Sequence, residues 1–371
     1  MHRTWLEINL TAIKNNINNI RNIIGKDKIF LAAIKGNAWG YGTVQYVKTL
    51  VDSGVDWLGI TTIEDAVQIR AEKIQLPMLL MCELPEEQVR EALTNNLRMT
   101  ICTKKMADLV LLEAAKLRTD VHVHIKMNTG LNRIGVSPGE FLPFVKYVAS
   151  LPYLQLEGAF THYSCADQIE NKEKTLSQLH LFEEAIKKAE KAGFNFKILH
   201  TANTPAALAL PETHLDMVRV GAGIAGLYPA EEFRKVTTLN FPVTWKTRVS
   251  FVRLVKPDEA VGYGSKYRCN KSTVVATIPV GTADGLSKRF ENNGYVLIKG
   301  KKRKIAAISM DQTMIDLGCK NEETPLGEEV VILGKQKQHY LDPHIVAREI
   351  NADVEELLSQ INSRVIRVYQ S

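Results

Sequence analysis

Residues Ile29-Phe30-Leu31-Ala32-Ala33-Ile34 form an unbroken apolar run, and Lys35-Gly36-Asn37-Ala38-Trp39-Gly40-Tyr41-Gly42 follows it without a gap. A short apolar run that stops at a glycine-rich segment predicts a buried strand over 29–35. A lysine at the end of such a strand must leave water or be paired, and burial lowers its pKa toward a nucleophilic amine. Glycine, asparagine and aromatic residues crowd in after it, as a loop requires if backbone is to close around a ligand. The same residues also fit a lysine that ends a strand and points to solvent, so the surrounding chain has to decide.

Upstream, Ile13, Ile17, Ile20 and Ile24 recur at helical spacing, with Asn9 or Thr11 available as a cap. Downstream, short apolar runs lie near 57–61, 76–81, 98–102, 121–127, 154–160, 196–200 and 217–221. Amphipathic stretches such as 63–73, 86–96, 104–117 and 170–192 separate many of them. With the first strand this makes eight β/α units, which fit a parallel (β/α)8 barrel of typical size ~250 residues. After Pro229 the period becomes two, as in 249–255, 273–279, 295–298, 304–309 and 328–333, and Asn293-Gly294 signals a tight turn. Helix is expected again only near 351–361, before a closing strand at 364–369. The predicted fold class is α/β: an N-terminal TIM-type barrel over 1–235, then a mostly β C-terminal domain over 236–371.

Composition agrees with two globular cores. The 371 residues are 45% hydrophobic and 24% charged, with a formal net charge of +6. The densest basic run, Lys299 to Lys304, lies between two apolar segments and reads as the exposed turn of a hairpin; no aromatics interleave with it, so no nucleic-acid groove is expected. Five scattered cysteines contain no Cys-x-x-Cys pair, which favours a reducing, cytoplasmic compartment over a disulfide framework. No segment has the length and apolarity of a signal core or a membrane span, so no membrane partner is expected.

The polar residues then become informative by position. Lys35 ends the first predicted strand, Lys126 the fifth and His162 the sixth; Asn203 follows the seventh and Arg219 lies in the eighth. The carboxyl ends of the strands form the active face of a (β/α)8 barrel, so these groups are expected at one mouth. Asn203-Thr204 opens a short helix, and Gly221-Ala222-Gly223 offers a glycine loop; free backbone N–H groups at both would bind a phosphate. A reactive lysine, a phosphate cradle and an arginine together suggest pyridoxal 5'-phosphate. His122 and His124 share one strand face, but without a third ligand core packing is a better account than a metal.

At this point the chain resembles the alanine racemase family, pyridoxal-phosphate amino-acid racemases with a barrel and a C-terminal β domain. The motifs that carry the resemblance run nearly end to end. They are the Lys35–Gly42 octet, Lys126-Met127-Asn128-Thr129-Gly130-Leu131-Asn132-Arg133-Ile134-Gly135, Thr161-His162-Tyr163, and His200-Thr201-Ala202-Asn203-Thr204. Met217-Val218-Arg219, Gly262-Tyr263-Gly264, Thr282-Ala283-Asp284-Gly285 and Met310-Asp311-Gln312 follow. The resemblance implies that Lys35 carries the cofactor and acts as base on one face of Cα. It implies that Tyr263, supplied by the partner of a homodimer with composite sites, acts on the other. Two bases are needed because a proton removed from one face must return on the other. His162 would relay the proton, with Arg219 behind it and on the cofactor's ring nitrogen; an ordinary Arg219–Asp216 ion pair is the alternative. Trp39, Asn203, Thr204, Gly221 and Ala222 fall at the family's cofactor positions, with Thr204 in place of a serine. Lys126 matches a carbamylated lysine that holds Arg133, and Arg133 orients cofactor and substrate carboxylate; an unmodified surface lysine is the alternative. Met310 and Asp311 match substrate-binding positions.

The departures from the family pattern fall at the cofactor phosphate and at the substrate entrance. Trp39 and Tyr41 stand where tyrosine and histidine are usual, and Thr282 replaces a tyrosine that narrows the entrance. Counted back from Arg364-Val365, Glu355 takes the place of an inner-gate tyrosine and Asp353 that of an apolar neighbour. A smaller, more acidic entrance points to serine or a basic amino acid ahead of alanine; alanine as substrate, with Glu355 turned to solvent, is the alternative. A decarboxylase of the same plan would need a catalytic cysteine–acid pair late in the chain, and Cys319 has none. A non-catalytic cofactor-binding homologue is disfavoured because both Lys35 and Tyr263 are present.

Overall fold

The computed structural model describes residues 2–319 and 326–371. By its contacts the chain divides into two compact units, and neither is one continuous segment.

The first unit comprises Ala12–Lys35 and Thr43–Asn240. Eight parallel strands lie in the order Ile198–His200, Leu154–Phe160, Val121–Lys126, Leu97–Ile101, Met78–Leu80, Trp57–Ile60, Ile29–Ala33, Met217–Val220. The two end strands meet through Asp216 N–H to Leu199 O and Arg219 N–H to Ala202 O, each 3.0 Å, so the sheet is nearly closed on itself. The expected barrel is therefore present, and its strands fall within a few residues of the apolar runs. Helix Leu10–Ile24 buries Ile13, Ile17, Ile20 and Ile24, the expected stripe. It also buries Asn16, whose side chain donates to Ile224 O and Asn240 O and accepts from Asn240 N–H, leaving no buried polar atom unpaired there. Helix Lys104–Leu117 begins where Thr103 Oγ1 accepts from Met106 N–H, an N-cap that fixes its start.

The second unit comprises the N-terminal residues to Thr11, Gly36–Gly42 and Phe241–Ser371. Its ten-stranded sheet runs Phe251–Val255, Thr273–Ile278, Thr313–Gly318, Lys301–Ile308, Tyr295–Ile298, Glu329–Gln336, Val243–Arg248, Thr4–Asn9, Ile366–Gln370, with His339–Leu341 paired to Glu329–Gln336. Strands Val243–Arg248 and Thr313–Gly318 alternate between buried and half-buried residues, the period of a sheet with one covered face. The division differs from a single cut at residue 235. Thr4–Asn9 pairs antiparallel with Val243–Arg248 and parallel with Ile366–Gln370, so the start of the chain belongs with its end.

Gly36–Gly42 also belongs to the second unit. Gly36, Asn37, Ala38, Trp39 and Gly40 all have positive φ, from 52° to 79°, forming one left-handed turn closed by Gly40 N–H to Gly36 O. Three of these residues carry a Cβ, at a cost of roughly 1–2 kcal/mol each. The turn is held from its own unit: Arg367 Nε donates to Gly40 O and the Tyr369 hydroxyl to Tyr41 O. At Gly40 a Cβ would run into Leu358 O, so glycine is required there for space as well as for φ.

Two local expectations need correction. The basic run reaches beyond the hairpin turn: only Lys299 and Gly300 turn, at φ 55° and 79°, and residues 301–304 begin the second strand, where they alternate between its faces with Arg303 half-buried and the three lysines exposed. A second late helix, Pro343–Glu349, precedes Val354–Ser359, started by Asp342 accepting from His344 and Ile345 N–H with proline at the first turn. The tight turn expected at Asn293-Gly294 is present, closed by Gly294 N–H to Phe290 O as the chain leaves the short helix Lys288–Phe290. Among the described residues no helix is long and apolar enough to cross a membrane.

Candidate active site

In the barrel unit Lys35, Lys126, Arg133, His162 and Arg219 line one cavity of about 340 Å³, with Cys82 and Phe160 among its walls. These residues follow or end four different strands and one strand-end loop, so the convergence expected at the carboxyl mouth is found. The space lies in the range typical of small-ligand pockets.

Lys35 does not stand as expected. The strand stops at Ala33, and Lys35 is exposed in the protomer while lining the cavity. The buried lysine is Lys126, 3% exposed, with its ammonium 5.5 Å from the Phe160 ring centre and no hydrogen-bonding or ion-pair partner among the described residues. Burial, then Arg133 and Arg219, push its pKa down to about 8. It is not the surface lysine of the alternative reading. Arg133 is carried by a loop pinned at its base by Asn128 N–H to Val136 O and Val136 N–H to Lys126 O.

Arg219 is buried in the last strand and makes no ion pair with Asp216, which accepts from Leu199 N–H instead. Its Nη1 donates to His200 Nδ1 and His200 O, both 3.0 Å. Its Nη2 reaches Thr161 O at 2.7 Å, Thr201 O at 3.1 Å and His162 Nδ1 at 3.3 Å. These acceptors absorb the four terminal hydrogens, so Nε–H is left for whatever fills the cavity. Burial lowers the pKa to about 10, still high enough to keep the guanidinium charged near neutrality.

Behind Arg219 runs a chain of buried polar groups. Arginine has only donors, so His200 Nδ1 accepts and Nε2 carries the proton. His200 Nε2 then donates to His124 Nδ1 at 2.9 Å, and His124 Nε2 to Glu157 Oε2 at 3.1 Å. His122 is 3.6 Å from the same carboxylate and Arg98 3.4 Å. His124 is thus part of the core, as the packing account held, but it is hydrogen-bonded at both ends rather than merely packed. His162 is pushed down to about 2, by burial first and then by Arg219, Arg133, Lys126 and Lys35, and is neutral. With Nδ1 accepting from Arg219, its Nε2–H is the free donor.

This network makes a pH prediction. Burial holds His200 well below the usual histidine value and His124 below it too, with Glu157 opposing burial at His124. The unfolded chain therefore takes up more protons below pH ~6.5, and stability present above that value is lost as pH falls. Two histidines give a slope of about 2.7 kcal/mol per pH unit below the unfolded pKa. Burial pushes Glu157 upward, but His124 and Arg98 outweigh it and hold it below the usual range, which extends the loss to more acid pH. Urea unfolding at pH 7.5, 6 and 5 should show a falling midpoint; a flat profile would contradict the neutral network.

On the same rim, Asn203 Oδ1 accepts from Ala206 N–H and caps Thr204–Ala209, and Gly221 N–H donates to Thr204 Oγ1 at 3.1 Å. Gly223 leaves room there, since a Cβ would lie 3.0 Å from Thr204 Cγ2. Thr204 and Gly221 are brought together, with Ala222 next in the chain. The Gly221 and Ala206 N–H groups are thus engaged within the protein rather than free as expected, and the Thr204 hydroxyl, which can still donate its hydrogen, is the group there that fits a phosphate. The cavity with its spare Arg219 Nε–H fits the aromatic part of pyridoxal phosphate.

The remaining expected residues lie in the sheet unit. Trp39 is buried in the left-handed turn. Tyr263 is 80% exposed, between Gly262 and Gly264 at φ 79° and 72°. Thr282 and Met310 are exposed, and Ala283 N–H donates to Met310 O. The Asp311 carboxylate accepts from Arg364 at 2.8 Å, so its side chain is already engaged. Asp353 and Glu355 are exposed at the start of helix Val354–Ser359. Sequence reasoning missed Cys82, Phe160 and the Glu157–His124–His200 chain. The signal for the last was two histidines and a glutamate inside largely apolar barrel strands.

Comparison with known proteins is consistent along the whole chain. Residues 8–229 match the family model described as alanine racemase, N-terminal domain, and residues 242–369 that of alanine racemase, C-terminal domain. A protein named alanine racemase from Desulfovibrio desulfuricans is 35% identical over 370 residues, covering 98% of this chain and 97% of that one. The solved alanine racemase of Clostridium difficile superposes with a TM-score of 0.94 at 32% identity, covering 99% and 95% of the two chains. That of Bacillus anthracis, with bound L-Ala-P, gives 0.94 at 30% identity, covering 100% and 96%.

Proposed function

From the premise that this chain belongs to the alanine racemase family of pyridoxal-phosphate-dependent racemases, we propose that it interconverts the L and D forms of a small amino acid with Lys35 and Tyr263 as its two bases. The observation that carries this reading is the single cavity lined by Lys35, Lys126, Arg133, His162 and Arg219. When bound, pyridoxal phosphate supplies the electron sink that makes a Cα proton removable.

The chain's residues then divide the work. Lys35 holds the cofactor and moves a proton at one face of Cα. Tyr263 serves the other face from the partner subunit, which agrees with its 80% exposure in the protomer. A phenol with reference pKa ~10 needs help to act near neutrality. His162 cannot help by charging, since it is neutral, so it acts as an Nε2–H donor to the phenolate. Arg219 offers Nε–H to the ring nitrogen and keeps its own proton, which limits the sink and favours simple reprotonation. Asn203, Thr204, Gly221 and Ala222 hold the phosphate.

Lys126 is the site of carbamylation in this reading. At a pKa of about 8 a fraction of the amine is neutral near pH 7 and adds CO2, forming an N–C bond and releasing a proton. The product places an anion where three cations otherwise crowd together, and that anion holds Arg133 on the substrate carboxylate. Protein equilibrated with 13C-bicarbonate should show a carbamate resonance that Lys126→Arg abolishes. Its absence in the wild type would refute the modification.

For specificity, Thr282, Asp353 and Glu355 are the entrance residues and Met310 and Asp311 bind substrate; the acidity of Glu355 with Asp353 favours serine, lysine or ornithine over alanine. A carboxylate that accepts a charge-assisted bond contributes ~1.5–3 kcal/mol, about tenfold or more in preference. A second reading, alanine as preferred substrate, is favoured by the names of the relatives and by the L-Ala-P bound to the Bacillus anthracis protein. Measuring kcat/KM for alanine, serine, lysine and ornithine in wild type and Glu355→Tyr decides between them. Alanine first in the wild type, with no change of ranking in the mutant, removes Glu355 from specificity.

A further inference from the structure

Gln178, on helix Lys172–Lys191, is 4% exposed, and both ends of its amide are used. Its Oε1 accepts from Ser164 N–H at 3.1 Å and from the Ser164 hydroxyl at 3.0 Å. Its Nε2 donates to Thr129 Oγ1 at 3.4 Å; Thr129 and Thr161 hydroxyls lie 2.8 Å apart, and Thr161 donates to Met127 O at 2.9 Å. The direction is fixed at both ends. A backbone N–H can only donate and a carbonyl can only accept, so the chain runs from Ser164 through Gln178, Thr129 and Thr161 to Met127 O. Gly130 makes room for it, since a Cβ there would sit 3.2 Å from Gln178 Nε2.

This clip brackets the site. His162 lies between two of its members, Thr161 and Ser164; the Thr161 carbonyl also accepts from Arg219. Met127 follows Lys126, and Thr129 begins the loop that carries Arg133. A hydrophobic side chain of similar length would fill the same volume, so packing alone does not call for an amide here.

We propose that Gln178 is a positioning residue that sets His162, and through it the proton transfer on the Tyr263 face. The inference rests on the two-base reading above. An unmade buried hydrogen bond of this kind costs between about tenfold and a hundredfold in rate when it sits on the reaction path. If Gln178 acts through His162, the loss falls on one face of Cα only; a structural role lowers both faces alike.

The test uses the holoenzyme with Gln178→Met, which keeps length and volume, and Gln178→Glu, which keeps the acceptor for Ser164 and loses the donor for Thr129. Deuterium exchange at Cα is followed from each enantiomer separately, with Tyr263→Phe as reference. The expected result is that Gln178→Met slows exchange of the enantiomer that Tyr263→Phe impairs by tenfold or more, leaves the other within about twofold, and that Gln178→Glu falls between. In cofactor-free protein the 15N signals of His162, assigned with His162→Gln, should shift in Gln178→Met. Equal loss for both enantiomers, or no loss with unmoved His162 signals, overturns the positioning role while leaving the two-base reading intact. If Tyr263→Phe itself shows no one-sided effect, the two-base reading fails and takes this inference with it.

Discussion

Replacing Lys35 by alanine or Tyr263 by phenylalanine is expected to abolish inversion, each by roughly 10²–10⁴-fold, the usual contribution of a general base. The two variants should differ in what survives. With Tyr263 removed, Lys35 still removes and returns a proton on its own face, so one enantiomer exchanges its Cα hydrogen with solvent without inverting. With Lys35 removed, the surviving exchange belongs to the other enantiomer. Polarimetry together with mass spectrometry of amino acid recovered from D2O reads both quantities. Full inversion by Tyr263→Phe would eliminate it as the second base, whatever its position in the chain.

The second large effect concerns assembly. Tyr263 is 80% exposed in its own protomer, an unusual place for a large aromatic flanked by two positive-φ glycines. If it completes the neighbour's site in a two-fold dimer, inactive Lys35→Ala and inactive Tyr263→Phe subunits complement on mixing. Each mixed dimer then holds one intact site and one doubly damaged site, so random exchange of equal amounts restores about a quarter of wild-type activity. The gain runs from nearly nothing to an easily measured rate. Mixed dimers that form without regaining activity would place both bases in one chain.

Legibility in the sequence followed the range of the interactions involved. Strand Leu154–Phe160 and helix Lys104–Leu117 were readable to the residue because their signals are local: an apolar run in one, an amphipathic stretch in the other. The convergence of Lys126, His162 and Arg219 was readable because barrel topology sends strand ends to one mouth. Thr4–Asn9 was not, because its partners in Val243–Arg248 lie some two hundred and forty residues away. Local pattern carries no trace of that pairing. Lys35 was expected to be buried because its run is apolar, yet the strand ends two residues earlier and the left-handed turn follows. The Glu157–His124–His200 chain and the Gln178 clip were hidden for a different reason. Sequence shows a polar residue in an apolar segment, but only coordinates show which partner satisfies it.

Optical inversion in D2O tests the central claim most directly. Pure protein loaded with pyridoxal phosphate is given L-alanine, L-serine, L-lysine and L-ornithine in separate vessels, and enantiomer ratio and Cα deuterium are followed together. The account predicts that at least one of them approaches equal amounts of L and D with deuterium at Cα in the product, and that borohydride-treated protein carries its pyridoxyl group on Lys35. Release of CO2 with formation of an amine, or a pyridoxyl group on another lysine, would contradict it.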